Sequence, residues 1–146
     1  MKSRMIGWVE WVSLPDLEIT RMKAKADTGA KTSALHAENI RIHSSDGHQT
    51  VTFTIFPRKK SEKKGVRVSC PLKEHRFVKS STGVATLRPV ISTTLKLGNF
   101  EKKIEVTLIN RAPMEFRMLL GRTALRDFLV NPKRAYYMTS TKKSKK

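Results

Sequence analysis

The chain has 146 residues, the size of one domain, and sets 30 Lys and Arg against 12 Asp and Glu, a net charge of +18. That balance excludes an acidic tail or a carboxylate-built metal surface, and a single cysteine excludes an intrachain disulfide framework and any zinc site built on two or four cysteines. No apolar run reaches about 18 residues, and Glu10 interrupts the opening apolar stretch, so the expectation is no membrane span, no signal peptide and a cytoplasmic location.

The pattern along the chain is mostly β. Met5 to Val12 is rich in β-branched and aromatic residues and stops at the turn Leu14-Pro15-Asp16. Ile19 to Ala26 alternates with period two, Arg21, Lys23 and Lys25 on one side against Met22, Ala24 and Ala26 on the other. Asp27-Thr28-Gly29-Ala30 breaks that strand as a turn, and order resumes from Thr32 to Ala37. Val51 to Phe56 and Val66 to Cys70 read as strands ending at prolines, with the basic run Arg58 to Lys64 as the loop between them. Val84 to Leu97, interrupted by Pro89, and Phe100 to Ile109 are joined by Gly98-Asn99, a hairpin signal. Met118 to Leu120 is a short buried run. Arg122 to Val130 reads as the one helix, with Leu125, Phe128 and Leu129 on one side and Asn131-Pro132 ending it. Tyr136 to Thr139 reads as a last strand. About ten short strands and one late helix predict an all-β chain folded as a small closed or partly closed barrel.

Charge is concentrated in two places. Four of the last five residues are lysines, and residues 140–146 read as a basic disordered tail behind a domain spanning 1–139. With both this tail and the Arg58–Lys64 run set aside, the body is still basic. Such a surface attracts an acidic partner, either nucleic acid and the ribosome or an acidic peptide.

The residues that carry chemistry are Asp27-Thr28-Gly29. An aspartate at a strand end, then a hydroxyl residue and a glycine, makes a tight turn that holds a carboxylate in a cleft. Alone this is ordinary turn chemistry. Far along the chain, however, Leu119-Leu120-Gly121-Arg122 leads straight into the predicted helix. These two segments resemble the paired signatures of retropepsin-like aspartic peptidases. Ile6-Gly7-Trp8, Glu10 to Pro15, Lys23 to Ala37 and Met118 to Arg122 resemble more closely the RimK-associated bacterial branch, whose common label is ATP-dependent zinc protease.

The resemblance implies a retropepsin (acid protease) barrel in which each subunit supplies half an active site. Only one Asp-Thr-Gly occurs, so a homodimer would bring two Asp27 carboxylates together. Carboxylates about 3 Å apart cannot both ionise and share a proton, one member drawing a proton from water while the other donates to the scissile carbonyl. Thr28 would lock the turns together, and Gly29 would face substrate backbone. Lys25, Ala30 and Lys31 would contact substrate, and Leu120, Gly121 and Arg122 would support the site. A hairpin would close over the cleft, with Arg58–Lys64 as the expected tip. RimK-type ligases append glutamates, so the implied substrate is an acidic peptide or a polyglutamate-tailed protein, with the ligase itself as a partner. The other class of function is a non-catalytic basic module that binds RNA or ribosome on the same barrel.

Three departures stand out. Viral relatives carry an acid directly after the Asp-Thr-Gly-Ala turn that pairs with the later arginine, whereas this chain has Lys31 there, leaving Arg122 with Asp16 or Asp127 as partner. His36, His43, His48, His75 and Cys70 show no recurrent zinc-ligand spacing, and no His-Glu-x-x-His occurs. Gly29-Ala30-Lys31-Thr32 lacks the glycine pattern of a phosphate loop, so the expectation is no metal and no cofactor. Trp8 and Trp11, three apart on one strand, would face opposite ways, either packing in core or dimer or stacking on nucleobases.

Overall fold

A computed structural model describes residues 4–57, 65–79, 82–110 and 116–139. The run Arg58–Lys64 and the tail 140–146 lie outside them. Twelve strands and one four-residue helix occur among the described residues: β1 (Arg4–Gly7), β2 (Val9–Leu14), β3 (Ile19–Ala26), β4 (Ser33–His36), β5 (Glu38–Ser45), β6 (His48–Ile55), β7 (Val66–Pro71), β8 (Glu74–Lys79), β9 (Ala85–Leu97), β10 (Phe100–Ile109), β11 (Met118–Leu120), α1 (Arg122–Leu125) and β12 (Phe128–Asn131).

Six strands close the barrel. They run β10-β4-β11-β3-β2-β9, and β9 pairs back onto β10, so no edge is left open. Inward positions follow the period-two pattern. Met22 and Ala24 of β3, Ile91, Leu95 and Leu97 of β9, and Val106 and Leu108 of β10 are buried in one core, while Lys23 and Lys25 point out. Ile19 departs from the alternation and is buried, because the β2–β3 register shifts between Val12 and Leu14 and turns the strand start inward. The Gly98-Asn99 hairpin forms as the sequence indicates, with Gly98 at φ +63.

A second sheet, β5-β6-β7, adds Val51, Phe53, Ile55 and Val68 to the same core. Its first hairpin turns on Asp46 (φ 52) and Gly47 (φ 78), both left-handed as a two-residue turn of twisted strands requires.

Two predicted elements come out differently. The helix ends at Leu125, and Phe128–Asn131 is instead a strand pairing in parallel with β1, Arg4 opposite Phe128. Lys102 draws the chain out of the helix, its ammonium binding the Thr123 carbonyl at 3.0 Å and the Asp127 carboxylate at 2.8 Å. Beyond that point period two takes over, with Phe128 buried against Phe100 and Leu129 exposed. Tyr136 to Thr139 joins no strand ladder. It is an irregular segment stitched to β2, with Tyr136 N–H on the Val9 carbonyl at 2.8 Å and Trp11 N–H on Thr139 Oγ1 at 2.8 Å.

Candidate functional site

Asp27 hangs between three strands. β11 inserts between β3, which it meets in parallel, and β4, which it meets antiparallel, so Leu120 lies opposite Ala26. The next residue, Asp27, donates its N–H to the Leu120 carbonyl at 2.8 Å. Its carbonyl accepts Ala30 N–H at 3.2 Å, closing the turn, and its half-buried carboxylate accepts Gly29 N–H through Oδ1 at 3.1 Å. On the other side, Ala26 N–H reaches the Trp8 carbonyl at 2.9 Å.

The helix start then takes hold of the turn. A helix leaves its first N–H groups without internal acceptors. Here Arg122 N–H donates to the Ala30 carbonyl at 2.8 Å and Thr123 N–H to the Lys31 carbonyl at 3.0 Å. Arg122 Nη1 adds a bond to the Thr28 carbonyl at 3.0 Å. That settles its partner, which is neither of the two aspartates considered from sequence: Asp16 accepts from Thr94, and Asp127 pairs with Lys102. Gly121 permits the approach. A Cβ placed there would sit 2.6 Å from the Thr32 carbonyl carbon and 2.8 Å from its oxygen, well inside contact distance.

The expected site residues therefore converge in one place. Asp27, Thr28, Gly29 and Ala30 form the turn, Lys25 and Lys31 flank it with exposed side chains, and Leu120, Gly121 and Arg122 brace it from behind. Two residues of this framework were not singled out from sequence. Ser33, fully buried, accepts Gly121 N–H on its hydroxyl at 3.0 Å and Thr107 Oγ1 on its carbonyl at 3.2 Å. Glu10, 1% exposed, accepts Gly7 N–H (2.7 Å), Met138 N–H (2.9 Å), Thr139 N–H (2.8 Å) and the Thr139 hydroxyl (2.5 Å). The signal for both was a polar residue at a core-facing strand position, which burial tolerates only when it is fully bonded.

Neither tryptophan is core, and the expected split between opposite faces does not occur. Gly7 packs so tightly on the Arg134 carbonyl (2.2 Å from where a Cβ would lie) that the chain kinks at Trp8, between β1 and β2. Trp8, 37% exposed, meets Phe116 edge-on at 6.0 Å, and half-buried Trp11 stacks on Tyr136 at 5.5 Å. Cations lie on these rings: Arg21 3.9 Å and Lys23 5.6 Å from the Trp11 centroid, and Lys25 5.8 Å from that of Phe116.

The described residues do not fit a zinc. Among the described residues no three His, Cys, Asp or Glu side chains converge, and the buried His36 faces Glu38 at 3.0 Å. Burial raises the Cys70 thiol above its ordinary range, which keeps it protonated. No described helix is long and apolar enough to cross a membrane.

Comparison with known proteins agrees with this architecture. The chain is 44% identical over 127 residues to a probable alpha-L-glutamate ligase of Desulfotalea psychrophila and 38% identical over 133 residues to one of Shewanella pealeana. These matches take in 87% and 90% of this chain but only 27% and 29% of the relatives, so it spans little more than a quarter of their length. The crystal structure of a Legionella pneumophila protein of unknown function superposes with a TM-score of 0.75 at 30% identity, covering 92% of this chain and 98% of that one. The profile of the RimB-like family, retropepsin-like aspartic endopeptidase RimB, matches residues 5–141. A barrel whose single Asp-Thr-Gly turn is pinned from behind by Leu120-Gly121-Arg122 thus belongs to the RimB-like family of retropepsin-like aspartic endopeptidase domains.

Proposed function

We infer that this chain is one half of an aspartic-type peptidase that works as a homodimer, with Asp27 of each subunit forming the catalytic pair. The observation that carries the reading is the fixed Asp27 turn, in which backbone bonds to β11 and α1 hold one carboxylate half-buried at a strand end. One carboxylate cannot supply both a base and an acid at the same moment; two across a two-fold axis can. The ionised member takes a proton from water as the water oxygen attacks the scissile carbonyl, and the protonated member gives its proton to the carbonyl oxygen. Collapse of the tetrahedral intermediate expels the amine, which leaves with a proton from the pair.

The substrate class is an acidic chain, joined by peptide or isopeptide bonds and typified by glutamate tails. Support comes from the net charge of +18, from Lys25 and Lys31 exposed on either side of the turn, and from relatives whose names assign them glutamate ligation. A ligase that lengthens such tails and a hydrolase that shortens them act on the same chemical object, which makes a RimK-type ligase the natural partner. A hairpin to cover the cleft is available in β8–β9. β9 pairs with β10 only from Val90 onward, so Ala85 to Pro89 and β8 continue past that ladder as a two-stranded arm bearing Phe77 and Leu87 exposed.

The test is cleavage of a glutamate oligomer by the wild-type chain and by Asp27→Asn, with sedimentation of both. Expected are products from the wild type only and a dimer in both. Equal cleavage by Asp27→Asn, or a persistent monomer that cleaves, would end the reading. Salt-sensitive RNA binding with no cleavage at all would favour the basic binding module instead.

A further inference from the structure

We propose that the outer face of β3, from Arg21 through Lys23 to Lys25, is a docking track for the acidic chain beyond the scissile bond, feeding it toward Asp27. This rests on the acidic-substrate reading above and adds where the distal part of that substrate lies.

Three observations lead there. First, the cations are unpaired. Among the described residues, Lys73 and Arg76 are neutralised by Glu74 and Glu105, and Lys102 by Asp127, whereas Arg21, Lys23 and Lys25 have no carboxylate within ion-pair distance. Second, they are held in place. Arg21 and Lys23 lie on the Trp11 ring and Lys25 on Phe116, so much of the side-chain freedom that a bound partner would otherwise have to remove is already spent.

Third, the spacing suits an extended peptide. Alternate residues of a strand stand about 6.8 Å apart on one face, and an extended acidic chain presents every second carboxylate at the same pitch. β3 is paired with β2 and, from Ala24 to Ala26, with β11 as well, so beside the turn neither of its edges can accept an added strand. Recognition must therefore run through side chains. The ladder ends two residues from the turn, since Lys25 is followed by Ala26 and Asp27.

Single-stranded nucleic acid is the competing polyanion, and the aromatic residues argue against it. Stacking of bases needs open ring faces. The Trp11 ring already carries Arg21 and stacks on Tyr136 at 5.5 Å with 19° between planes. What the face offers outward is a row of N–H donors.

The test uses a fluorescein-labelled glutamate dodecamer and the full chain bearing Asp27→Asn, so that binding is read without turnover. Adding Arg21→Gln and Lys23→Gln should weaken binding roughly five- to tenfold at low salt, two surface charge contacts being lost. The charge-keeping pair Arg21→Lys and Lys23→Arg should restore most of it, and thermal melting checks that every variant folds. In the Asp27-intact chain, the ratio of kcat/KM for the dodecamer over a tetramer should fall by a similar factor. Unchanged dodecamer affinity in the glutamine variant overturns the proposal while leaving the peptidase reading untouched. Track-dependent binding in a chain that never cleaves sinks the peptidase reading and keeps the track. An oligouridylate of equal charge that binds more tightly than the peptide, and is lost on the same substitutions, reassigns the face to nucleic acid and overturns the proposal.

Discussion

Replacing Gly121 by alanine tests whether the backbone, rather than any side chain, builds the Asp27 turn. The added Cβ would meet Thr32 backbone atoms at 2.6 and 2.8 Å and the Lys31 carbonyl carbon at 2.9 Å, and none of these can swing aside as a flexible side chain could. The clash is relieved only by moving β11 and α1 away from the turn. That movement strains four bonds: Asp27 N–H to Leu120, Gly121 N–H to Ser33, Arg122 N–H to Ala30 and Thr123 N–H to Lys31. Overpacking and partial loss of these bonds together cost about 2–4 kcal/mol. Gly29→Ala is the matched control. Its Cβ would find only Asp27 Oδ1, at an ordinary 3.4 Å, so stability should change by less than about 0.5 kcal/mol. Urea unfolding of both variants measures the difference, and amide exchange at Asp27 and Ala30 localises it. A loss below about 1 kcal/mol for Gly121→Ala, with exchange at the turn unchanged, would refute the claim that close backbone approach fixes Asp27. If Gly29→Ala is as stable as expected yet inactive, the space beside that glycine is needed by something outside this chain: substrate or a second copy.

Glu10→Ala strands one buried and two half-buried N–H donors and should cost about 3 kcal/mol, with faster amide exchange at Met138 and Thr139; retained protection there would show that the carboxylate does not anchor this segment. Arg122→Ala should cost about 1 kcal/mol and speed exchange at Gly29 and Ala30, read by thermal melting and NMR. The hydrogen bond from Arg76 is the main cause holding the Glu105 carboxyl below its ordinary range, burial opposing it and Lys73 adding to it. A depressed acid stabilises the fold above its unfolded pKa and loses that contribution as pH falls through the folded one. The Tm gap between wild type and Glu105→Gln should thus be full at neutral pH and close below about pH 4.

Much of the site could be read in the sequence because it is local: Asp27-Thr28-Gly29 announces a turn, and Leu119-Leu120-Gly121 an apolar strand with room for close approach. What joins them is backbone bonding between distant segments, and composition does not encode that. The barrel followed from alternation, as in Met22 and Ala24 against Lys23 and Lys25. The end of the helix did not, because Leu125, Phe128 and Leu129 satisfy a helical period, and what ends it lies far off in sequence: pairing of Phe128–Asn131 with β1 and the Lys102 contacts to Thr123 and Asp127. The β5–β6 hairpin had a legible marker in Asp46-Gly47, between flanks too polar to read as a buried sheet, with β5 exposed along most of its length. Trp8 sits at a bend between β1 and β2, beside the close contact of Gly7 with the Arg134 carbonyl, so alternation along one unbroken strand does not relate it to Trp11.

The choice of acceptor for Arg122 has a consequence for working conditions. A guanidinium fastened to a carboxylate lets go once acid discharges its mate. The Thr28 peptide oxygen holds no proton to gain or lose across the usable range, and Lys31 keeps the neighbouring position free of any acid that might take its place. Acidification can therefore discharge carboxylates elsewhere in the molecule without breaking the bond that braces the Asp27 turn.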